Sequence, residues 1–186
     1  SSGEQRLGRM RTEYNSPGPN LTNVVYAGIT NDNKIQAHIR TFLGRTDDIV
    51  RAYYEIQYTF LENVEYSRMS FFQIAADNYS DNGFTKASYG NSEGLMETLS
   101  IPNHNTQGYA SSDHRGIPIE GENPWVFLWD NQRTDGNLPE DHANVGYVIR
   151  YFEAVIGNET ITTPHINIYQ TKNGGWSQYA FELGLP

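Results

Sequence analysis

With 186 residues and no cysteine, the chain is long enough to bury a core without disulfide staples. Its net charge of −9 argues against nucleic acid as a partner, because phosphate binding calls for a basic surface. No stretch approaches the roughly 20 consecutive apolar residues of a membrane-spanning helix, so no membrane partner is expected either.

Apolar and polar residues alternate with a period of two, and clusters of turn residues interrupt the runs. The pattern predicts strands over Leu7–Tyr14, Asn23–Ile29, Lys34–Leu43, Ile49–Leu61, Arg68–Ala76, Gly94–Ile101, Trp125–Trp129, Val145–Ile156, Thr160–Tyr169 and Ser177–Leu183. Thirteen Tyr and eight Phe suit pleated surfaces. Between the runs stand Ser16-Pro-Gly-Pro, Asn31-Asp-Asn, Asp81-Asn-Gly, Gly157-Asn and Asn173-Gly-Gly. Asn31–Asn33 and Gly157–Glu159 read as hairpin connections. Asn103–Asn123 and Asn131–Asn144 are polar, interrupted by Gly or Pro, and read as long loops of the kind that carry function. No segment reads as a long helix. So many strands in one domain over residues 1–186 predict two packed antiparallel sheets, an all-β sandwich of the jelly-roll, concanavalin-like kind.

Alternation also assigns faces. Ile35, Ala37 and Ile39 share one side of their strand, opposite Gln36, His38, Arg40 and Phe42. Ala52, Tyr54, Ile56, Tyr58 and Phe60 lie opposite Arg51, Tyr53, Glu55, Gln57 and Thr59. Arg9, Arg11 and Glu13 share a face, and so do His165, Asn167 and Tyr169, opposite Ile166 and Ile168. An ordinary solvated sheet would be rich in Lys, Glu, Ser and Thr. Here the polar faces hold His, Gln, Asn, Arg and Tyr, which make directed hydrogen bonds and stack on sugar rings. The basic residues are ten Arg against three Lys, and only Arg offers a planar fork that matches a carboxylate.

The chain opens at Ser1-Ser2-Gly3 without Met and reads as a processed product. Three glycosylation-type triplets, Asn20-Leu-Thr, Asn78-Tyr-Ser and Asn158-Glu-Thr, lend weak support to a secreted, extracellular location.

Three segments carry a further signal: Arg11-Thr12-Glu13-Tyr14, Gln73-Ile74-Ala75, and His165-Ile166-Asn167-Ile168-Tyr169-Gln170. In their order and spread the sequence resembles the jelly-roll polysaccharide lyases of the alginate lyase and glucuronan lyase group. Alginate lyases of that group carry Arg-Ser/Thr-Glu-Leu, Gln-Ile/Val-His and a late Tyr-Phe-Lys-x-Gly-x-Tyr-x-Gln strand. Tyr14 stands for the Leu, Ala75 for the His, His165 for the Lys and Asn167 for the Gly, while Tyr169 matches the late Tyr. The glucuronan lyase branch uses a His on an earlier strand with a Gln and a late Tyr, an arrangement that His38, Gln73 and Tyr169 fit better. The resemblance also implies that an N-terminal strand is missing or reduced.

The chemistry that the resemblance implies is β-elimination on a uronate-containing, anionic polysaccharide. Abstraction of the weakly acidic C5 proton builds negative charge on the uronate carboxylate. A hydrogen-bonding amide such as Gln73 relieves that charge as an oxyanion-stabilising group does. Arg11 or Arg40 holds the carboxylate in a forked contact. His38 is suited to take the proton near neutral pH, and Tyr169 can protonate the leaving oxygen or act as both base and acid. Asn167 and His165 flank Tyr169; Glu13, Tyr53 and Tyr147 complete the expected substrate-binding set. The scheme requires no cofactor and no metal ligands, and a monomer suffices. The oxygen-rich run Asp77–Gly83 could hold a structural Ca²⁺ or be a plain turn. His104, His114 and His142 fit no zinc spacing. Paired carboxylates about 5 Å apart, as a retaining glycosidase needs, are not evident.

Two other readings stay open. A non-catalytic carbohydrate-binding module from a larger secreted enzyme would use exposed aromatics such as Tyr53, Tyr147 and Trp129 without a base and acid placed together. A structural or adhesion domain would bind no sugar.

Overall fold

The structure is a computed structural model that describes residues 7–46, 50–66, 70–77, 86–100, 108–109, 114–129, 144–173 and 176–184. For residues 70, 73–77, 108–109, 114–115, 144, 169–173 and 176–182 it describes the backbone only. The chain divides into two compact units, Ser1–Tyr66 and Ser67–Pro186. The fold is all-β and its sheets are antiparallel, with no helix among the described residues.

The first unit is a four-stranded meander of β1 (Leu7–Ser16), β2 (Leu21–Thr30), β3 (Ile35–Arg45) and β4 (Val50–Phe60), paired in that order. The β2–β3 turn forms where Asn31-Asp-Asn was expected to turn. Asn33 takes a left-handed φ of 65°, a conformation Asn tolerates better than most residues. Its N–H donates to Thr30 O at 3.0 Å. The Asp32 carboxylate accepts from Thr30 Oγ1 at 2.6 Å and from Lys34 N at 3.2 Å, and the Thr30 bond above all draws its pKa down.

The second unit contains β5 (Ser70–Asp77), β6 (Lys86–Asn91), β7 (Gly94–Ser100), β8 (Gly108–Tyr109), β9 (His114–Pro118), β10 (Trp125–Trp129), β11 (Asn144–Val148), β12 (Ala154–Ile156), β13 (Glu159–Ile161), β14 (His165–Asn173) and β15 (Trp176–Gly184). One sheet runs β11-β10-β6-β7; a second runs β5-β15-β14-β8, with β9 also pairing β14; β12 and β13 form a hairpin. Inward residues of the two larger sheets share one core in a β-sandwich-like arrangement. Ala87 and Tyr89 from β6 and Val126 and Leu128 from β10 cluster with Ile166 and Ile168 from β14 and with Ile119. Each fully buried Ile, Leu or Val here contributes roughly 1.5–3 kcal/mol by leaving water.

Several sequence expectations need correction. The strand expected over Val145–Ile156 is broken. β11 stops at Val148 because its partner β10 begins only after Pro124, which has no N–H to extend the ladder. The strand expected over Thr160–Tyr169 is also two elements, since Pro164 interrupts it, buried, with its carbonyl accepting from Ile119 N at 3.0 Å. Asn103–Asn123, read as a loop, contains β8 and β9, which pair with β14. β6 was not expected at all. Gly157, at φ 60°, occupies the first position of the two-residue β12–β13 turn, where a hairpin favours glycine. Asn131–Ala143, His104, Asn78–Gly83 and with them most of the proposed Ca²⁺ run lie outside the described residues, as does His142. No helix among the described residues is long and apolar enough to cross a membrane.

Candidate functional site

Residues paired across antiparallel strands share a face of the pleat. In the first unit this builds a polar face in rows. Arg11 pairs Ala27, Ala27 pairs His38, and His38 pairs Gln57. The next row on that face is Tyr14, Val25, Arg40 and Glu55, and the third is Ser16, Asn23, Phe42 and Tyr53. The other face carries Met10, Gly28, Ala37 and Tyr58, then Thr12, Tyr26, Ile39 and Ile56. Ile35 and Ala37 are the buried hydrophobic residues of this sheet.

The ladder slips between Thr12 and Tyr14, so Glu13 is the extra residue of a bulge, a device that re-aims side chains. Its carboxylate bridges two strands. Oε1 accepts from Arg11 Nη2 at 3.0 Å, and Oε2 lies 3.7 Å from His38 Nε2. One row along, Arg40 Nη1 lies 3.8 Å from Glu55 Oε2, and the Arg40 guanidinium carbon sits 4.6 Å over the Phe42 ring. Arg40 Nε and the nearby Asn23 Oδ1 are buried without a hydrogen-bond partner. Arg11 is 79 % exposed, so its pair with Glu13 contributes little stability. Its effect is to set the direction of the guanidinium. Arg11, Glu13, His38, Arg40 and Tyr53 therefore share one face, with Tyr53 63 % exposed.

In the second unit, Gln73 of β5 pairs Glu182 of β15, which pairs Asn167 of β14. The adjacent row on the same phase is Ala75, Ala180 and Tyr169. Both rows alternate with the fully buried Ile166 and Ile168, so Gln73, Asn167 and Tyr169 occupy the sheet's outward phase. Across two ladders, positions 73 and 167 are about 10 Å apart. The side chains of Gln73 and Tyr169 lie outside the described part of the structure. Asn167 Oδ1 accepts from Gly116 N at 2.8 Å, where the β9–β14 ladder slips between Ile166 and Ile168. Asn167 thus anchors β9. His165 Nδ1 lies 3.2 Å from Thr163 O. Tyr147, expected among exposed aromatics, sits instead on the inward phase of β11, packs against the core and meets Phe72 edge-on at 5.6 Å.

No family model, curated protein or solved structure matches this chain.

Two features of these faces escaped the sequence reading. Glu182 stands in the middle of the Gln73–Asn167 row; its place in the alternation of Phe181-Glu182-Leu183 marked it as outward, but only the register sets it between those two residues. The bulge at Glu13 has no sequence signal, because it arises from a mismatch between two strands. No group of three or more potential metal ligands is found among the described residues.

Proposed function

We propose that the chain is a secreted polysaccharide lyase of the jelly-roll, concanavalin-like type, cleaving a uronate-containing polymer by β-elimination. The observation that carries this reading is the register of β5, β15 and β14, which sets Gln73, Asn167 and Tyr169 on one outward face. An amide that stabilises a developing enolate-like carboxylate and a phenol that protonates the leaving oxygen must flank one sugar ring. A separation of about 10 Å between strands two ladders apart suits that task. Taken by itself, the first unit offers a base and a forked cation on one face, His38 and Arg40, with Arg11 in the same row as His38. Glu182 would serve the same carboxylate only in its protonated form, because an ionised acid there would repel it. The scheme uses no metal.

The second reading, a non-catalytic carbohydrate-binding module, is favoured by one observation. Arg11 is already engaged by Glu13 and Arg40 faces Glu55, which lowers the net positive charge available to a uronate. The deciding test is the ultraviolet absorbance of unsaturated uronate while the protein is incubated with alginate, glucuronan and other uronate polymers. The lyase reading expects a rise that disappears in Tyr169→Phe. A flat trace on every polymer, with one of them retarding the protein in an affinity gel, would put the binding module first.

A further inference from the structure

The outward face of the β11-β10-β6-β7 sheet carries a different constellation. Trp125, Phe127 and Trp129 occupy alternate positions of β10, opposite in phase to the buried Val126 and Leu128. Phe127 has small cross-strand partners on both sides, and Trp125 has one on the β6 side and Val148 on the β11 side. Trp125 pairs Gly90 on β6, and Phe127 pairs Gly146 on β11 and Ser88 on β6. A Cβ built on Gly90 would come within 2.7 Å of Trp125 Cζ2, and one on Gly146 within 2.8 Å of Phe127 Cδ2. The rings therefore lie down across the neighbouring strands, in space that only glycine leaves.

Both indole N–H groups are used inside the fold. Trp125 Nε1 donates to Asn91 O at 2.9 Å, and Trp129 Nε1 donates to Ser88 Oγ at 3.0 Å. Ser88 Oγ in turn shares a 2.8 Å hydrogen bond with Thr98 Oγ1. These bonds hold the indoles in one orientation and leave them only C–H edges and π faces to offer. The result is an open depression of about 680 Å³ whose lining includes Leu95 and Val148 and, among the described residues, no acidic or basic side chain. Phe127 is 38 % exposed, Leu95 62 % and Val148 53 %.

We infer that this platform is a glycan-binding site for an uncharged, flat pyranose chain, separate from the uronate-cleaving face and independent of whether that face is catalytic. From Trp125 to Trp129 the strand advances about 14 Å, and four strands span a similar width, so the patch covers roughly 200 Å². A stable protein–protein interface buries about 800 Å² on each partner, which this patch does not approach. A ligand that meets it must be narrow, apolar on one face and content without an ionic contact. The C–H face of an equatorially linked sugar chain has those properties, while its hydroxyl groups remain in water. Lys86 pairs Trp129 in the ladder but lies outside the lining of the depression, and its ammonium is engaged by Ser100 Oγ at 2.7 Å.

The test uses the full chain and its own tryptophans, two of which belong to the platform out of three in all. Titration with a soluble β-1,4-linked gluco-oligosaccharide is expected to give a saturable change in indole emission. Phe127→Ala should weaken binding by about tenfold, the loss of one stacked ring, and Phe127→Tyr should restore it. Uronate cleavage should be unchanged in Phe127→Ala, and oligosaccharide binding unchanged in Tyr169→Phe. The proposal is overturned if the folded chain shows no saturable response at millimolar oligosaccharide, or if Phe127→Ala binds as tightly as the wild type. It is equally overturned if only an oligouronate elicits the response and Tyr169→Phe removes it.

Discussion

Replacing Gly90 by alanine tests whether the sheet is built around the flat indole of Trp125. The new Cβ would meet Trp125 Cζ2 at 2.7 Å and Gly94 O closer still. The indole could tilt, but Gly94 O is backbone at the β6–β7 turn, so the hairpin must move with it. Overpacking of this kind costs about 1–3 kcal/mol. A chain of this length loses about 2–4 °C of melting temperature per kcal/mol, so the expected loss is roughly 2–12 °C. The control is the same substitution at Gly44 in β3, where a Cβ meets nothing within 4 Å. There alanine removes unfolded-state freedom and should stabilise by about 0.5 kcal/mol. Thermal denaturation followed by circular dichroism reads both, and tryptophan emission reads the indole. Equal melting temperatures for wild type and Gly90→Ala, with unchanged emission, would refute the reasoning that the ring and the glycine share one space.

Ile168, fully buried in the sandwich-like core of the second unit, should cost about 2–5 kcal/mol when cut to alanine, seen as a lower denaturant midpoint with an unchanged slope. Tyr89 is buried and bonded to Glu97 at 2.6 Å; burial first, then the Glu97 bond and charge, push its pKa up to about 12. Because the folded pKa exceeds the ordinary value of 10.0, its contribution is full below about pH 10 and lost as pH rises through about 12. Tyr89→Phe removes this loss, so its stability, read by urea denaturation at each pH, should fall less than the wild type's between about pH 10 and 12.

Period-two alternation made much of the fold legible, because successive side chains of a strand fall on opposite faces. The opposition of Ala37, Ile39, Ile56 and Tyr58 to His38, Arg40, Glu55 and Gln57 was read from sequence and recurs in the ladders of β3 and β4. β6 was invisible for a physical reason. Lys86-Ala-Ser-Tyr-Gly-Asn is poor in β-branched residues, since Ser88 and Gly90 must stay small beneath Trp129 and Trp125. The aromatic platform itself was partly legible: Trp125-Val-Phe-Leu-Trp129 places three rings on one phase. Which phase faces out could not be known before Val126 and Leu128 were seen to enter the core.

What the sequence determined by itself was class and phase: an all-β chain, antiparallel sheets, and the sides of each strand on which polar and apolar residues fall. These follow from local geometry, because successive side chains of a strand point to opposite faces. What only the tertiary structure decided was adjacency. The register of β5, β15 and β14 lines up Gln73, Glu182 and Asn167, and a one-residue slip would send every one of them to the other face. The bulge at Glu13 joins Arg11 to His38 across strands that have no sequence proximity. Pairing between distant segments depends on the whole sheet packing at once, and no local pattern carries that information.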